Sequence, residues 1–386
     1  MAASIQLCAE DVADYFQDME DPRSEINRRH PLPSVIAISL MAVLAGASGP
    51  TAIAAWASDK QEFLRLALPL PNGVPRKDVY RRVLQMLNPQ AFQLCFTDWL
   101  MSLRKQAQVD NPVSQPVYNV DGKTLRRSHD RKNGLGALHS VSLWASDYGL
   151  SLGQVATEEK SNEITAIPEL LRLVDIKGAI ITIDAMGTQK AIASQIVDAE
   201  ADYVLALKGN QGTLHAAVVT YIDDQMENDF AGTRARQHTT TETGHGRVET
   251  RTYYQLPVPA DLPGASQWKG LKTIGVVIST VERDGKETME ARYYLSSLGL
   301  GVKRFAHAVR SHWSIENTCH WTLDVTYRED DSRIRNGHIR ENFAWLNRFT
   351  LSLLKQHPGK ESIAMKRRHC GWNDNFLLQV LVPQRS

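Results

Sequence analysis

The sequence predicts a mixed α/β core preceded by a small all-helical segment. Two observations carry this. Residues 117–212 show three short strand patterns in a row and then alternate between helix and strand, whereas residues 32–103 keep a helical apolar spacing with no strand signal. With 386 residues, 42% of them hydrophobic, the chain can bury a sizeable core and is long for one ordinary domain.

The elements follow in order. Pro33 lies near a helix start, Ser48-Gly49-Pro50 breaks the pattern, and Pro69-Leu70-Pro71-Asn72-Gly73 forms another loop. Asp78 to Arg82 open a segment that breaks at Asn88-Pro89 and resumes through Phe92, Phe96 and Trp99; this spacing fits a helix-turn-helix and fits core packing. After Asp110-Asn111-Pro112 the chain reads as strands at 117–121, 137–144 and 150–156, separated by Asn133-Gly134 and Asp147-Tyr148-Gly149. A helix is expected at 163–174, a buried strand at 179–183, a helix at 189–199, a strand at 203–207 and a helix from Gln211. An antiparallel meander that passes into parallel crossovers points to a ribonuclease-H-like fold. Residues 231–298 are rich in alternating Thr, Tyr and Val and read as a β-rich insertion, and residues 303–325 can form one long amphipathic helix. The expected organisation is a helical domain over 1–110, the first part of the core over 111–230, the insertion over 231–300, and the rest of the core with a basic C-terminal segment over 301–386.

The net charge of +1 gives no global sign of a nucleic-acid partner, so any DNA affinity must come from local clusters. Lys123, Arg126, Arg127, Arg131 and Lys132 form one; Arg333, Arg335 and Arg340 with Lys366, Arg367 and Arg368 form another. The four cysteines, Cys8, Cys95, Cys319 and Cys370, lie far apart without metal spacing and read as free thiols in a reducing cytoplasm. The most apolar stretch, residues 35–47, is shorter than the roughly 20 residues of a spanning helix, so no membrane segment is expected.

Aspartate is depleted in strands, and a buried carboxylate is costly unless paired or metal-bound, yet Asp121 interrupts one apolar strand and Asp184 ends another. In the expected order the first and fourth strands are neighbours, which brings both carboxylates to one edge of the sheet. Trp313, Glu316 and His320 are spaced to share one face of the later helix, making Glu316 the candidate third carboxylate and Asp324 its rival. Carboxylates suit hard cations such as Mg2+ or Mn2+, and a pair of them serves phosphodiester chemistry without a side-chain nucleophile. Lys208, Asn210 and Gln211 at a strand end, and His245 between Gly244 and Gly246 with Arg247 and Arg251 near it in the insertion, are candidate DNA contacts, as are Trp313 and His320. Trp268 could stack on an extruded base or fill the core.

The segments YNVDGKTLRRS (118–128), KSNEITAIPELL (160–171), ITIDAMGTQKAIA (181–193), DYVLALKGNQG (202–212), GHGRVETR (244–251) and HWSIENTCHWTLDVTYREDDSRIRNGH (312–338) together resemble the H-repeat-associated transposases of bacterial insertion sequences, in the DDE superfamily. The resemblance implies a catalytic triad at Asp121, Asp184 and Glu316 with two Mg2+ or Mn2+ ions. It implies a helical N-terminal associated domain, binding to terminal inverted repeats as double-stranded DNA, a homodimer assembled on DNA, and cutting and joining at the bacterial nucleoid. In the broader group with a β-rich insertion the last motif carries Tyr and Arg before the Glu and Lys after it. Here His312 stands at the Arg spacing and Leu323 at the Lys spacing, so that group's DNA-end chemistry does not transfer directly. A silent DNA-binding protein and a nuclease that cuts without joining are the alternative functions.

Overall fold

A computed structural model describes residues 12, 14–129, 134, 136–157, 162–244, 246–335 and 337–381. Its centre is one nine-stranded sheet in the order β3-β2-β1-β4-β5-β9-β8-β7-β6. The first five strands are β1 (Val117–Leu125), β2 (Leu138–Ala145), β3 (Leu150–Thr157), β4 (Ile180–Ile183) and β5 (Asp202–Leu207). β1 to β3 are an antiparallel meander, and β4 and β5 run parallel to β1. This is the mixed topology that the alternation of patterns predicts.

The β-rich segment consists of β6 (Arg236–Gly244), β7 (Arg247–Pro257), β8 (Thr273–Arg283) and β9 (Lys286–Ser296). These four strands extend the same sheet, because β9 pairs antiparallel with β5 from Val204↔Ser296 to Leu207↔Tyr293. Their far halves alternate Thr, Glu and Arg and are exposed, while Tyr253, Ile274, Val276 and Leu295 near β5 are buried. Trp268, in the loop before β8, is buried and fills the core.

Among the described residues six α-helices precede the sheet: α1 (Leu32–Leu44), α2 (Pro50–Asp59), α3 (Gln61–Ala67), α4 (Lys77–Met86), α5 (Pro89–Leu94) and α6 (Thr97–Asp110). α1 is apolar on nearly all sides and buried at every position except Pro33, as an interior helix must be. Asn88 caps α5, its side-chain oxygen accepting from the N–H groups of Gln90 and Ala91, and Pro89 fits the first helical position where no N–H is needed. Phe92, Phe96 and Trp99 take the core-packing alternative. Phe96 lies 4.5 Å from Phe349 and 6.1 Å from Trp345, ring centre to ring centre, on the long C-terminal helix α12 (Gly337–Gln356). Asn342 of that helix donates to the carbonyls of Leu84 and Leu87 at the end of α4. The N-terminal helices and the core therefore share one hydrophobic interior.

Connecting helices α7 (Glu163–Leu173), α8 (Lys190–Asp198) and α9 (Gly212–Glu227) follow the crossovers. The opposite sheet face is covered by α10 (Val302–Ser314), which continues through a π-helical stretch at Ile315–His320 into α11 (Trp321–Val325). After α12 come α13 (Ile363–Trp372) and α14 (Asp374–Leu381). Among the described residues no helix is long and apolar enough to cross a membrane, and Cys95, Cys319 and Cys370 are free thiols.

Half of the C-terminal basic cluster, Arg340, Lys366 and Arg367, is internal and does not face DNA. Lys366 donates to the carbonyls of Leu354 and His357, Arg367 to those of Thr326 and Val43, and Arg340 to those of Ser128 and Gly136. Arg333, Arg335 and Arg368 remain exposed.

Because Phe96 joins both parts of the chain, Phe96→Ala should lower the stability of the whole fold by about 3–5 kcal/mol. Urea unfolding followed by far-UV circular dichroism and by fluorescence should show one shared transition moved to lower urea. An early transition confined to the N-terminal helices would show that they fold as a separate unit.

Candidate active site

Register places the two aspartates side by side. Val120 of β1 pairs with Ile183 of β4 in parallel, so Asp121 and Asp184 are the next residues on adjacent strands. Side chains alternate across a strand, so Val117, Asn119, Asp121 and Lys123 share a face with Ile180, Thr182 and Asp184. That face is apolar at its start, where Val117 and Ile180 pack beneath Phe305, Ala308 and Val309 of α10, and becomes polar toward the aspartates. Asp121-Gly122 is not a turn: β1 continues to Leu125 and pairs Asp121 with Ser142 of β2. Asp184 does end its strand, its Oδ1 accepting from the N–H groups of Met186 at 3.1 Å and Gly187 at 3.3 Å.

The long helix is laid along this row of side chains. Asn119 donates to the Ser311 carbonyl and, at 3.3 Å, to the Ser314 hydroxyl. Thr182 donates to Asn119 Oδ1 at 3.0 Å, so its oxygen accepts from His312 Nδ1–H at 2.9 Å, and this fixes the His312 tautomer. Farther on, His320 Nδ1 lies 3.3 Å from Asp121 Oδ2, and Lys123 pairs with Asp324.

Glu316 sits in the π stretch, and this changes which residues share its face. A π turn holds more residues than an α turn, so the expected common face of Trp313, Glu316 and His320 divides. Trp313 and Glu316 line a cleft of about 330 Å3 with Asp184, Lys208, Arg292 and His312. His320 turns under β1 and is buried against Asp121. It has no access to DNA, which corrects the expectation of a DNA contact.

Burial, together with the charges of Glu316, Asp184 and Glu163, raises Asp121 from 3.8 to about 7, against the opposing hydrogen bond from the Gly122 N–H. Burial lowers His320 to about 3, and Arg348, Lys123 and His312 push it the same way. Burial lowers His312 to about 4 although Asp184 acts against it. Both imidazoles are therefore neutral near pH 7, and His320 Nε2 is buried without a partner. Among the described residues, no three His, Cys, Asp or Glu side chains are gathered at metal-ligand spacing.

Other candidates are distributed as follows. Lys123 is buried and paired with Asp324, with Asp330 at 3.5 Å, which leaves it no path to a phosphate and corrects its reading as a DNA contact. The same pair ties Asp324 to β1. Arg126 and Arg127 are exposed and reach Asp330 at 3.4 Å and Asp331 at 3.2 Å. Asn210 donates to the Ala185 carbonyl at 2.6 Å and Gln211 to the Thr188 carbonyl at 3.1 Å, so both amides brace the loop that follows Asp184. Arg251 is mostly buried between Glu249 and Glu242, again unlike a free DNA contact, whereas Arg247 is half exposed and 3.5 Å from Glu249. His245, Arg131 and Lys132 lie outside the described residues.

Several site residues carry no sequence signal strong enough to single them out. Arg292 of β9 stacks over the Trp313 ring at 4.3 Å, and only the β5–β9 pairing brings it there. Asn119 and Thr182 read as ordinary strand residues until the register joins them. Glu163 is buried and accepts from His139 at 2.7 Å; the pair presses on Gly122, where an added Cβ would collide with Glu163 Oε1. The glycine after Asp121 is required by that approach.

Residues 113–354 match the family model described as Transposase DDE domain, and residues 13–100 match that described as DDE_Tnp_1-associated. The chain is 38% identical over 380 residues to "Putative transposase YncI" of Escherichia coli O157:H7, covering 97% of this chain and 95% of that protein. It is 35% identical over 374 residues to "H repeat-associated putative transposase YhhI" of Escherichia coli (strain K12), covering 95% and 97%.

The raised Asp121 carboxyl gives a signed pH dependence. Between about 4 and 7 the folded chain holds this proton and the unfolded chain has lost it, so in chelator stability should fall as pH rises through that window and then level off. Urea midpoints across the window should fall less steeply for Asp121→Asn. An unchanged slope would assign the dependence to other groups.

Proposed function

The chain belongs to the DDE transposase family, and from that premise we propose that Asp121, Asp184 and Glu316 are the catalytic carboxylates of a DNA transposase that cuts and joins at insertion-sequence ends. The supporting observation is the Val120↔Ile183 register, which sets Asp121 beside Asp184, with Glu316 near enough to add to the Asp121 shift. The donor set is all carboxylate oxygen, and the burial of Asp121, with the negative charge of its neighbours added to it, is what a hard cation offsets. The three carboxylates would hold Mg2+ or Mn2+. When bound, a pair of such ions supplies activation of the attacking water or 3′-hydroxyl and stabilisation of the leaving oxygen.

The chain's own residues prepare the site. The Asn119–Thr182–His312 chain fixes the helix that carries Glu316. Neutral His320 orients Asp121, and Asn210 and Gln211 hold the loop after Asp184. Lys208 and Arg292 line the cleft beside Asp184 and Glu316, where a scissile phosphate would meet positive charge. Arg126 and Arg127 would exchange their carboxylate partners, Asp330 and Asp331, for the DNA backbone. The substrate in this proposal is double-stranded DNA, at terminal inverted repeats and at the target, with two copies of the chain assembled on it. The division into a helical part over 1–110, the core over 111–230 and 301–386, and a β-rich extension over 231–300 belongs to the same proposal.

Asp121→Asn, Asp184→Asn and Glu316→Gln should each lower cleavage of inverted-repeat ends by on the order of 10^2 to 10^3-fold or more in Mg2+ or Mn2+. Folding should be unchanged, since no volume is removed. Chelator should abolish cleavage, and Asp324→Asn should retain more activity than Glu316→Gln because Asp324 is tied to Lys123. A dead Asp324→Asn beside an active Glu316→Gln would move the third carboxylate, and full cleavage in chelator would sink the metal mechanism. Products cut but never joined would favour a nuclease.

A further inference from the structure

A second cleft lies far along the chain from the carboxylates, in the N-terminal helices. It encloses about 880 Å3, and its walls include Arg23, Arg29, His30, Arg76 and Arg82, with Asp78 the one acidic residue among the described residues that line it. Asp78 lies 3.5 Å from Arg81, outside this set. Most other basic residues singled out along the chain have partners: Lys123, Arg126, Arg127, Arg247 and Arg251 pair with carboxylates, and Arg340, Lys366 and Arg367 with backbone carbonyls. Arg29, Arg76 and Arg82 are exposed and form no ion pair among the described residues, which they share with Arg333, Arg335 and Arg368, but they alone of these line this cleft.

The cleft also holds polar atoms that the protein itself does not satisfy. Arg23 is only 5% exposed. Its Nε and Nη2 grip Asp21 at 2.8 and 2.6 Å and Nη2 also donates to the His30 carbonyl, but Nη1 is buried with no partner. His30 Nδ1 is likewise buried without a partner. A buried unsatisfied donor such as Arg23 Nη1 is costly, and beside unpaired guanidinium groups it marks a place for an anion. The first turn of α4, led by Arg76 with no side-chain cap, opens on the same cleft and adds the positive end of a helix.

We propose that this cleft seats a phosphodiester stretch of duplex DNA and grips the backbone without reading sequence. The proposal rests on the DNA-transposase function above and adds to it a second anchoring point. Arginine forks match phosphate oxygens, and phosphate contacts fix the position of a protein on a duplex without carrying sequence information. In a chain of net charge +1, such a local group supplies attraction that the global charge does not.

The test is binding of full-length protein to a labelled inverted-repeat duplex and to a scrambled one, by fluorescence anisotropy from 50 to 200 mM salt (on the order of the range that resolves counterion release). The triple variant Arg29→Ala, Arg76→Ala, Arg82→Ala is compared with wild type and with the charge-keeping lysine triple; all three side chains are exposed, and circular dichroism checks the fold. The alanine variant should weaken both duplexes by similar factors, and its slope of log affinity against log salt should fall by roughly 0.9 for each phosphate that the variant no longer neutralises. The lysine variant should recover most of the slope. Wild type that binds DNA alongside an alanine variant with the same affinity and slope overturns the cleft and leaves the transposase function standing; wild type that binds no duplex overturns both. Thermal stabilisation of wild type alone by inorganic phosphate, with DNA affinity unchanged in the variant, assigns the cleft to a small anion and overturns the DNA assignment.

Discussion

Along one face of β1 the side chains of Val117, Asn119, Asp121 and Lys123 meet successive levels of a single helix, and the site depends on that alignment. Val117 packs in the apolar cluster under α10, Asn119 bonds to Ser311 and Ser314, Asp121 faces His320, and Lys123 pairs with Asp324. A strand rises about 3.3 Å per residue and an α-helix about 1.5 Å, so residues two apart on the strand meet helix residues about four or five apart. The intervals here, from Ser314 to His320 and on to Asp324, straddle that value. The larger one spans the π stretch at Ile315–His320, which also turns Glu316 outward to the cleft while its neighbours stay anchored.

Most of the core was legible in the sequence because its signals are local. Period-two alternation, apolar runs of four to six residues and glycine stops mark β1 to β5 and α7 to α9, and the observed bounds stay close to those expected except that β1 runs past Asp121 to Leu125. The adjacency of Asp121 and Asp184 followed from the expected strand order. What the sequence left hidden depends on pairing between distant segments. The attachment of β9 to β5, which brings Arg292 over Trp313, has no local signature. Nor does a π turn, whose effect on His320 reverses what α-helical spacing implies.

Charge was the least legible property, for a related reason. Runs such as Lys366-Arg367-Arg368 look alike whether they face solvent or carbonyls, and only the fold shows Arg367 stacked 3.8 Å from the Tyr327 ring and bonded to Val43 far away in the chain. Lys123 and Arg251 were absorbed in the same way by Asp324 and Glu249. Buried arginines of this kind, Arg348 among them with Glu329 and Ser140 as partners, hold elements in register and contribute little to the external field.

The shared interior of the N-terminal helices and α12 has a bearing on how the polypeptide matures. Phe92, Phe96 and Trp99 leave the ribosome early, yet the rings that cover them, Trp345 and Phe349, are made some 250 residues later, by the numbering alone. At the roughly 5–20 residues per second of synthesis, those aromatic side chains wait many seconds without their final cover. Completion of the molecule is therefore a late, long-range closure set by its last helices. A chain interrupted before α12 would release an aromatic surface that chaperones or proteases can recognise, so incomplete copies are exposed to removal before they can compete for DNA.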